Sequence, residues 1–240
     1  MTALVLTGSI RPQAPNTSIE DPAYRAAEYA RAIRFYLDQL SYPIHFIENS
    51  DHDIEEDPEL GPLLNSERLH LHRDREEGRP DLGKGYEDLR ILDPMVEKLE
   101  ANGYDFLIKV SGRYIVQNVL SLIPEKKELA YFDRHPRIKN GIAITSFFAC
   151  PIPFYLKHIK GAYAEVNEQE RRTIEKVVFK RLDGLEGKEA PRLFPWEPIF
   201  EGRSGTSGQP IGRHPNRRRL RNLYRKLLRA GGYHLISHEL

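Results

Sequence analysis

Residues Asp105 to Asn118 read DFLIKVSGRYIVQN, and this stretch constrains the fold more than any other. Phe106 to Val110 is an apolar run of strand length, interrupted only by Lys109, and it opens onto Ser111-Gly112-Arg113-Tyr114. A short apolar run that ends in a small-residue turn suits a strand buried on both faces. In open α/β sheets, ligand sites lie at the carboxyl ends of such strands. Upstream, Gly83-Lys84-Gly85-Tyr86-Glu87 forms a second glycine-lysine turn, at the start of a helical pattern. Two such turns suggest a pocket for an anionic ligand, which a nucleotide diphosphate would satisfy.

The rest of the chain agrees with an α/β architecture built on a largely parallel sheet. Ala3 to Leu6, Ile44 to Ile47 and Leu69 to His72 read as strands, and Leu129 to Phe132 and Ile142 to Phe148 as further candidates. Asp21-Pro22 is a helix start, with an acid to cap it and proline at its first position. Ala23, Ala26, Ala27, Ala30, Ile33 and Leu37 mark one face of that helix. A second helix is expected over Gly85 to Ala101, kinked or restarted at Asp93-Pro94, and a third over Tyr114 to Leu122. Asn167 with Glu170 resembles a capping box for a helix to Leu182. The last helix is expected over Asn216 to Arg229.

At 240 residues the chain can bury a sizeable core, as one domain or one domain with an appendage. One cysteine, Cys150, excludes an internal disulfide and fits a reducing compartment. Met1 leads straight into an apolar strand, and no apolar run approaches bilayer length, so a cytoplasmic protein is expected. The net charge of +1 conceals an asymmetry. Arg213 to Arg229 holds seven Arg and one Lys with no acid, whereas the remainder has 28 basic and 35 acidic residues. The expected division is a body over 1–212 and a basic amphipathic helix and tail over 213–240.

With these residues in view, the chain resembles a small GT-A-type glycosyltransferase, most like bacterial enzymes that build capsular or lipopolysaccharide glycans. The likeness runs from Leu4 to Gly208. It rests on Thr7-Gly8-Ser9-Ile10 after the first strand, Ile47-Glu48-Asn49-Ser50 after the second, Gly83 to Glu87, Lys109 to Asn118, and Gly202-Arg203-Ser204-Gly205. It implies a GT-A-like, Rossmann-like fold, a nucleotide-sugar donor (UDP-linked) and a glycan or lipid-linked glycan acceptor. Such enzymes usually carry Asp-x-Asp after the strand that here is Phe106 to Val110, to hold a divalent metal on the donor. This chain has Ser111-Gly112-Arg113 there, so no cofactor is firmly implied, and Arg113 or Lys109 would bind the diphosphate directly. A literal Asp51-His52-Asp53 follows the second strand instead, in an acidic loop where solvated carboxylates are the norm.

The candidate donor-binding residues are Thr7, Gly8, Ser9, Glu48, Asn49, Lys84, Gly85, Lys109, Ser111, Gly112, Arg113, Tyr114 and Asn118. Each has a plain structural alternative. Glu48-Asn49 would meet the nucleoside or simply end a strand. Lys84 would reach the diphosphate or stay solvated. Lys109, costly to bury alone, faces the ligand or pairs with an acid. Arg113 binds phosphate or forms an ion pair, and Tyr114 and Asn118 line the pocket or pack in the core. An inverting transfer needs a carboxylate base, for which Glu175 matches the resemblance best and Asp133 competes, a surface salt bridge being the alternative for either.

Phe147, Phe148, Pro151, Pro153, Phe154 and Tyr155 form an aromatic turn, either an acceptor platform or a core corner, and Trp196 between two prolines poses the same choice. The nine histidines lack metal-ligand spacing. In the last helix, Leu220, Leu223, Tyr224, Leu227 and Leu228 share a face, with arginines opposite. Either Arg213 to Arg229 meets the inner-membrane surface, or the helix docks with its apolar face in the core and its arginines on the body's acids. A nucleotidyltransferase would share the core and the nucleotide, but this chain has no Gly-rich loop with Arg and Lys directly after the first strand. Nucleic acid is a poor match for an acidic body.

Overall fold

The computed structural model describes residues 1–15, 17–135, 141–211 and 215–231, the last segment with side chains from Arg219 onward. Its centre is a five-stranded sheet in the order β3-β2-β1-β4-β8. Strands β1 (Thr2–Gly8), β2 (Ile44–Glu48), β3 (Leu69–Arg73) and β4 (Phe106–Ser111) run parallel, and β8 (Phe147–Pro151) closes the β4 edge antiparallel. The mixed, mostly parallel α/β sheet expected from the strand pattern is therefore present.

Side-chain alternation explains the layers. Leu4, Leu6, Ile108 and Val110 point to one face and pack on α1 (Pro22–Gln39) through Ala26, Ala30 and Ile33. Ala3, Val5 and Leu107 point to the other, against Leu89, Leu92 and Val96 of α2 (Lys84–Ala101) and against α4 (Ile152–His158) and α5 (Ile174–Leu182). Asp21 caps α1 as its position suggests, accepting from the Ala23 and Tyr24 amides at 2.9 and 3.4 Å. Helix α2 runs unbroken through Pro94.

Four expected elements differ. Tyr114 to Leu122 is not one helix: Ile115–Val116 forms β5, paired antiparallel with β9 (Phe200–Glu201), and only Val119–Leu122 is helical, as α3. Tyr36 decides this, since its hydroxyl accepts from the Val116 amide and donates to the Tyr114 carbonyl, each at 2.9 Å. Those groups are satisfied without a helix, in β-branched residues that favour strand. Leu129 to Phe132 makes only an isolated bridge at Tyr131. The stretch 142–148 divides between a small hairpin of β6 (Arg134–His135) with β7 (Ile142–Ala143) and the start of β8. Asn167 does accept from the Glu170 amide, at 3.3 Å, but this closes a tight turn bridged to Arg172, and α5 begins only at Ile174.

Helix α6 (Pro215–Ala230) docks on the body, and it does so through arginines. Arg225 is buried and forms a two-pronged pair with Asp133 at 2.6 and 2.8 Å. Arg221 bonds Glu197 at 2.7 Å, and Arg229 donates to the Leu193 carbonyl at 3.2 Å. Leu220, Leu223 and Leu227 are 57, 55 and 64% exposed. The expected boundary at 212/213 lies outside the described residues.

Two predictions follow from this packing. Asp133→Ala leaves Arg225 an unpaired buried cation, a loss of about 3–5 kcal/mol if the helix stays in place. The helix should undock instead, read as trypsin cleavage within α6 at least about tenfold faster than in the parent. On β2 and β3, His45 Nδ1 lies 3.0 Å from His72 Nε2, and burial pushes these histidines down to about 3 and about 4. Both stay neutral in the fold while the unfolded chain takes up protons near pH 6.5. Stability from this pair is complete above that pH and falls as pH drops toward 4, by about 1 kcal/mol per unit for each ring. Urea unfolding between pH 7 and 4.5 should show the decline, and His72→Gln should flatten it.

Candidate functional site

The strand order reverses between β1 and β4, because the connection from β1 leads to β2 on one side and the return from β3 lands on the other. The loops leaving these two strands must diverge, which opens a crevice at their carboxyl ends. A cleft of about 720 Å³ occupies this place. Of the expected donor-binding residues, Thr7, Gly8, Ser9, Asn49, Lys84, Gly85, Ser111, Gly112, Arg113 and Tyr114 line it, together with Glu175.

Two glycines of the cleft floor are required by contact. A Cβ on Gly8 would lie 2.7 Å from the rings of Phe46 and Tyr29. One on Gly112 would lie 2.8 Å from the Thr7 carbonyl, the same oxygen that accepts the Gly112 amide. The ends of β1 and β4 are thus drawn together more closely than any side chain allows.

Three cations converge on this floor. Arg113 donates to Glu28 at 2.6 Å and is largely buried. Burial opposes its charge, but Tyr29 and the bond to Glu28 outweigh that and raise its pKa. Arg25, from α1, donates to the Ser9 carbonyl at 2.8 Å and the Ile19 carbonyl at 3.1 Å. Burial lowers the Arg25 pKa, and the charge of Arg113 adds to the effect. Lys84 donates to the Gly205 carbonyl at 3.2 Å and Thr206 Oγ1 at 2.9 Å. Its pKa too is lowered, first by burial and then by Arg113 and Arg25, against an opposing pull from Glu168. Arg113 and Arg25 thus concentrate positive charge beside Lys84 on the floor of a cleft that Asp51, Asp74, Glu76, Glu77 and Glu87 also line.

Four expected site residues lie elsewhere. Lys109 is fully buried and faces α2, where its ammonium pairs with Asp88 at 2.5 Å and donates to Ser111 Oγ at 3.2 Å and the Thr145 carbonyl at 3.1 Å. Its alternation along β4 puts it on the helix side of the sheet, so it meets an acid and not the cleft. Glu48 is buried and accepts from the Ile10 and Ser50 amides, both at 2.9 Å. Burial raises its pKa while those bonds lower it. It therefore ties the loop after β1 to the loop after β2 and leaves nothing for a nucleoside. Asn118 clamps the chain between the Glu197 carbonyl and the Ile199 amide, each at 2.9 Å. Asp133, as a base, is corrected by its pairing with Arg225, outside the cleft.

The start of α2 also departs from expectation. Glu168 Oε1 accepts the Gly85 amide at 2.8 Å, and a Cβ on Gly83 would lie 2.3 Å from the Glu168 side chain. The glycines there admit a carboxylate of the chain itself to the helix N-terminus. The aromatic turn is core: Phe147, Phe148 and Tyr155 are buried. In the acidic loop, His52 pairs with Asp57 at 2.6 Å and Asp53 reaches toward Arg73 at 3.8 Å, whereas Asp51 lines the cleft. Among the described residues no group of three or more His, Cys, Asp and Glu is placed to hold a metal. At the end of β4, where the resemblance puts a divalent ion, the Arg113 guanidinium does not fit one.

Several cleft residues went unnoticed in the sequence. Arg25 and Tyr29 are one turn apart on the alanine face of α1, and a cation within such a face was the available signal. Asp88 and Glu168 gave none, since each acts through a partner distant in sequence. A second, more open groove of about 530 Å³ adjoins the first, with Thr17, Ser18 and Thr173 on its walls. Lys84, Glu168, Glu175 and Thr206 line both. Glu175 at this junction has no hydrogen-bond or ion-pair partner among the described residues.

No protein-family model matches the chain, and no curated protein matches it in sequence. Two of the solved structures that it resembles in shape are these. One, provisionally named a nucleotide-diphospho-sugar transferase, from Desulfovibrio desulfuricans G20, has a TM-score of 0.48 at 11% identity over 75% of this chain and 74% of the other. The second, provisionally named a glucose-1-phosphate thymidylyltransferase, from Bacillus anthracis and in complex with sucrose, has a TM-score of 0.46 at 14% identity over 86% and 90%.

The pairing of Lys109 with Asp88 supports a double-substitution test. Lys109→Met removes the cation and should cost about 3 kcal/mol in urea unfolding, because Asp88 loses its buried ion-pair partner and the Thr145 carbonyl its donor. Adding Asp88→Asn should recover most of the loss.

Proposed function

We propose that the chain is a glycosyltransferase that moves a sugar from a nucleotide-sugar donor, UDP-linked, to a saccharide acceptor in cell-surface polysaccharide synthesis. The acceptor is a growing glycan or its lipid-linked precursor at the cytoplasmic face of the inner membrane. The observation that carries this reading is the cluster of Arg25, Lys84 and Arg113 at the carboxyl ends of β1 and β4.

A nucleoside diphosphate leaving group gains negative charge as the glycosidic bond breaks. Cations already fixed beside it stabilise that charge without reorganising. Arg113 is held by Glu28 and Lys84 by the loop at Gly205 and Thr206, so both are oriented in advance. In this reading they act on the diphosphate directly, with no metal in the step. Asn49, at the end of β2, is the remaining candidate there for the nucleoside. The hydroxyl-rich second groove suits a saccharide, whose hydroxyls exchange hydrogen bonds with threonine, serine and carboxylate groups. Glu175, at the junction of the two grooves, takes the proton of the attacking acceptor hydroxyl.

The test is a thermal-shift screen of nucleoside diphosphates in EDTA, followed by transfer assays. UDP should stabilise the protein, and Arg113→Ala should abolish the shift. Glu175→Gln should keep the UDP shift and reduce transfer about 10²-fold or more. Indifference to every nucleoside diphosphate overturns the proposal. Pyrophosphate release from a nucleoside triphosphate and a sugar phosphate would make the protein a nucleotidyltransferase instead.

A further inference from the structure

We propose that the outward face of α6, with Trp196 beside it, seats the chain on an anionic lipid surface. The helix is mounted the opposite way from an ordinary amphipathic helix. Arg221, Arg225 and Arg229, at four-residue steps, face the body and meet Glu197, Asp133 and the Leu193 carbonyl. Asn222 adds a bond from the Glu197 amide at 2.9 Å. Leu220, Leu223 and Leu227 take the opposite side and are more than half exposed. A helix that merely completed the core would turn its leucines inward, and here buried ion pairs hold them out.

Trp196 extends the apolar face. It is 37% exposed, and the Lys226 ammonium lies over its ring, 4.5 Å from the centroid. An exposed indole with a lysine ammonium over its ring suits a lipid headgroup region, where an apolar body meets charge.

Charge selects the occupant. Among the described cations of this segment, Arg221, Arg225 and Arg229 are engaged by the body. Arg219 and Lys226 flank the leucines, exposed and without an acidic partner among the described residues. Arg213, Arg217 and Arg218 add further positive charge at the start of the segment. A second copy meeting this face would bring like charges together. Three leucines and a tryptophan also fall far short of the roughly 20 residues a side of a stable protein interface. An anionic bilayer matches both the leucines and the flanking cations. This inference rests on α6 and not on the chemistry of the cleft.

Trp196 is the only tryptophan, so its fluorescence reports the contact directly. The full chain would be mixed with vesicles of phosphatidylcholine alone or of phosphatidylcholine with phosphatidylglycerol. We expect co-sedimentation and a blue-shifted Trp196 emission with the anionic vesicles, both weakened by salt. The triple variant Leu220→Ser, Leu223→Ser and Leu227→Ser, altered only at exposed positions, should lose vesicle binding at least about tenfold while keeping its melting temperature and any nucleotide response. Failure to bind anionic vesicles, or equal binding to neutral ones, overturns the proposal. So does a dimer in vesicle-free buffer that the triple variant dissolves, which would assign the face to a second copy.

Discussion

The ammonium of Lys109 holds the floor of the cleft together. A cation wholly removed from water must be surrounded by acceptors, and each of its acceptors belongs to a different part of the chain. Asp88 comes from α2, Thr145 from the loop before β8, and Ser111 from the end of β4 itself. The second carboxylate oxygen of Asp88 accepts from the Thr7 hydroxyl at the end of β1. One charge therefore sets the mutual positions of two strand ends, a helix and a loop. Gly112 can then sit against the Thr7 carbonyl, and the crevice opens where it does.

With Lys109 engaged in this way, Arg25, Lys84 and Arg113 gather at the cleft floor, and nearby acids temper their charge. Glu28 and Glu168 offset part of the positive charge, from α1 and from the turn before α5. Arg113 still lowers the proton affinity of Arg25, and both arginines lower that of Lys84. An anion entering the cleft would relieve a repulsion already present, in a site with reduced access to water. The Ser204–Thr206 loop takes part because Lys84 grips it, and the same Gly205 carbonyl accepts from the Ser18 amide at 3.1 Å.

What could be read from the sequence was set by local rules. The parallel strands, the Asp21-Pro22 helix start and the glycines at two strand ends all follow from periodicity, capping and turn chemistry. The cleft likewise follows from an apolar strand meeting a small-residue turn. The failures share one cause, which is a partner far away in sequence. Tyr36 turned Tyr114 to Val116 away from helix, Asp88 drew Lys109 to the helix side, and Glu168 filled the N-terminus of α2. No local pattern encodes such pairings. An apolar strand interrupted by lysine signals that some partner exists, but not which.

Helix α6 shows the same limit from another side. Its leucine and arginine faces were plain from spacing, and the two ways of mounting it were equally open. The structure takes a combination of them: arginines meet the body's acids, Leu220, Leu223 and Leu227 remain in solvent, and Tyr224 and Leu228 are half-buried. The choice follows from what the body presents. Asp133 and Glu197 are largely buried carboxylates that need cations, and Arg225 and Arg221, one turn apart, supply them. An acid already committed to holding a helix cannot serve as a base. That is why Asp133 belongs to the docking of α6 and not to the cleft, and why the basic segment belongs to the architecture as much as to any surface it meets.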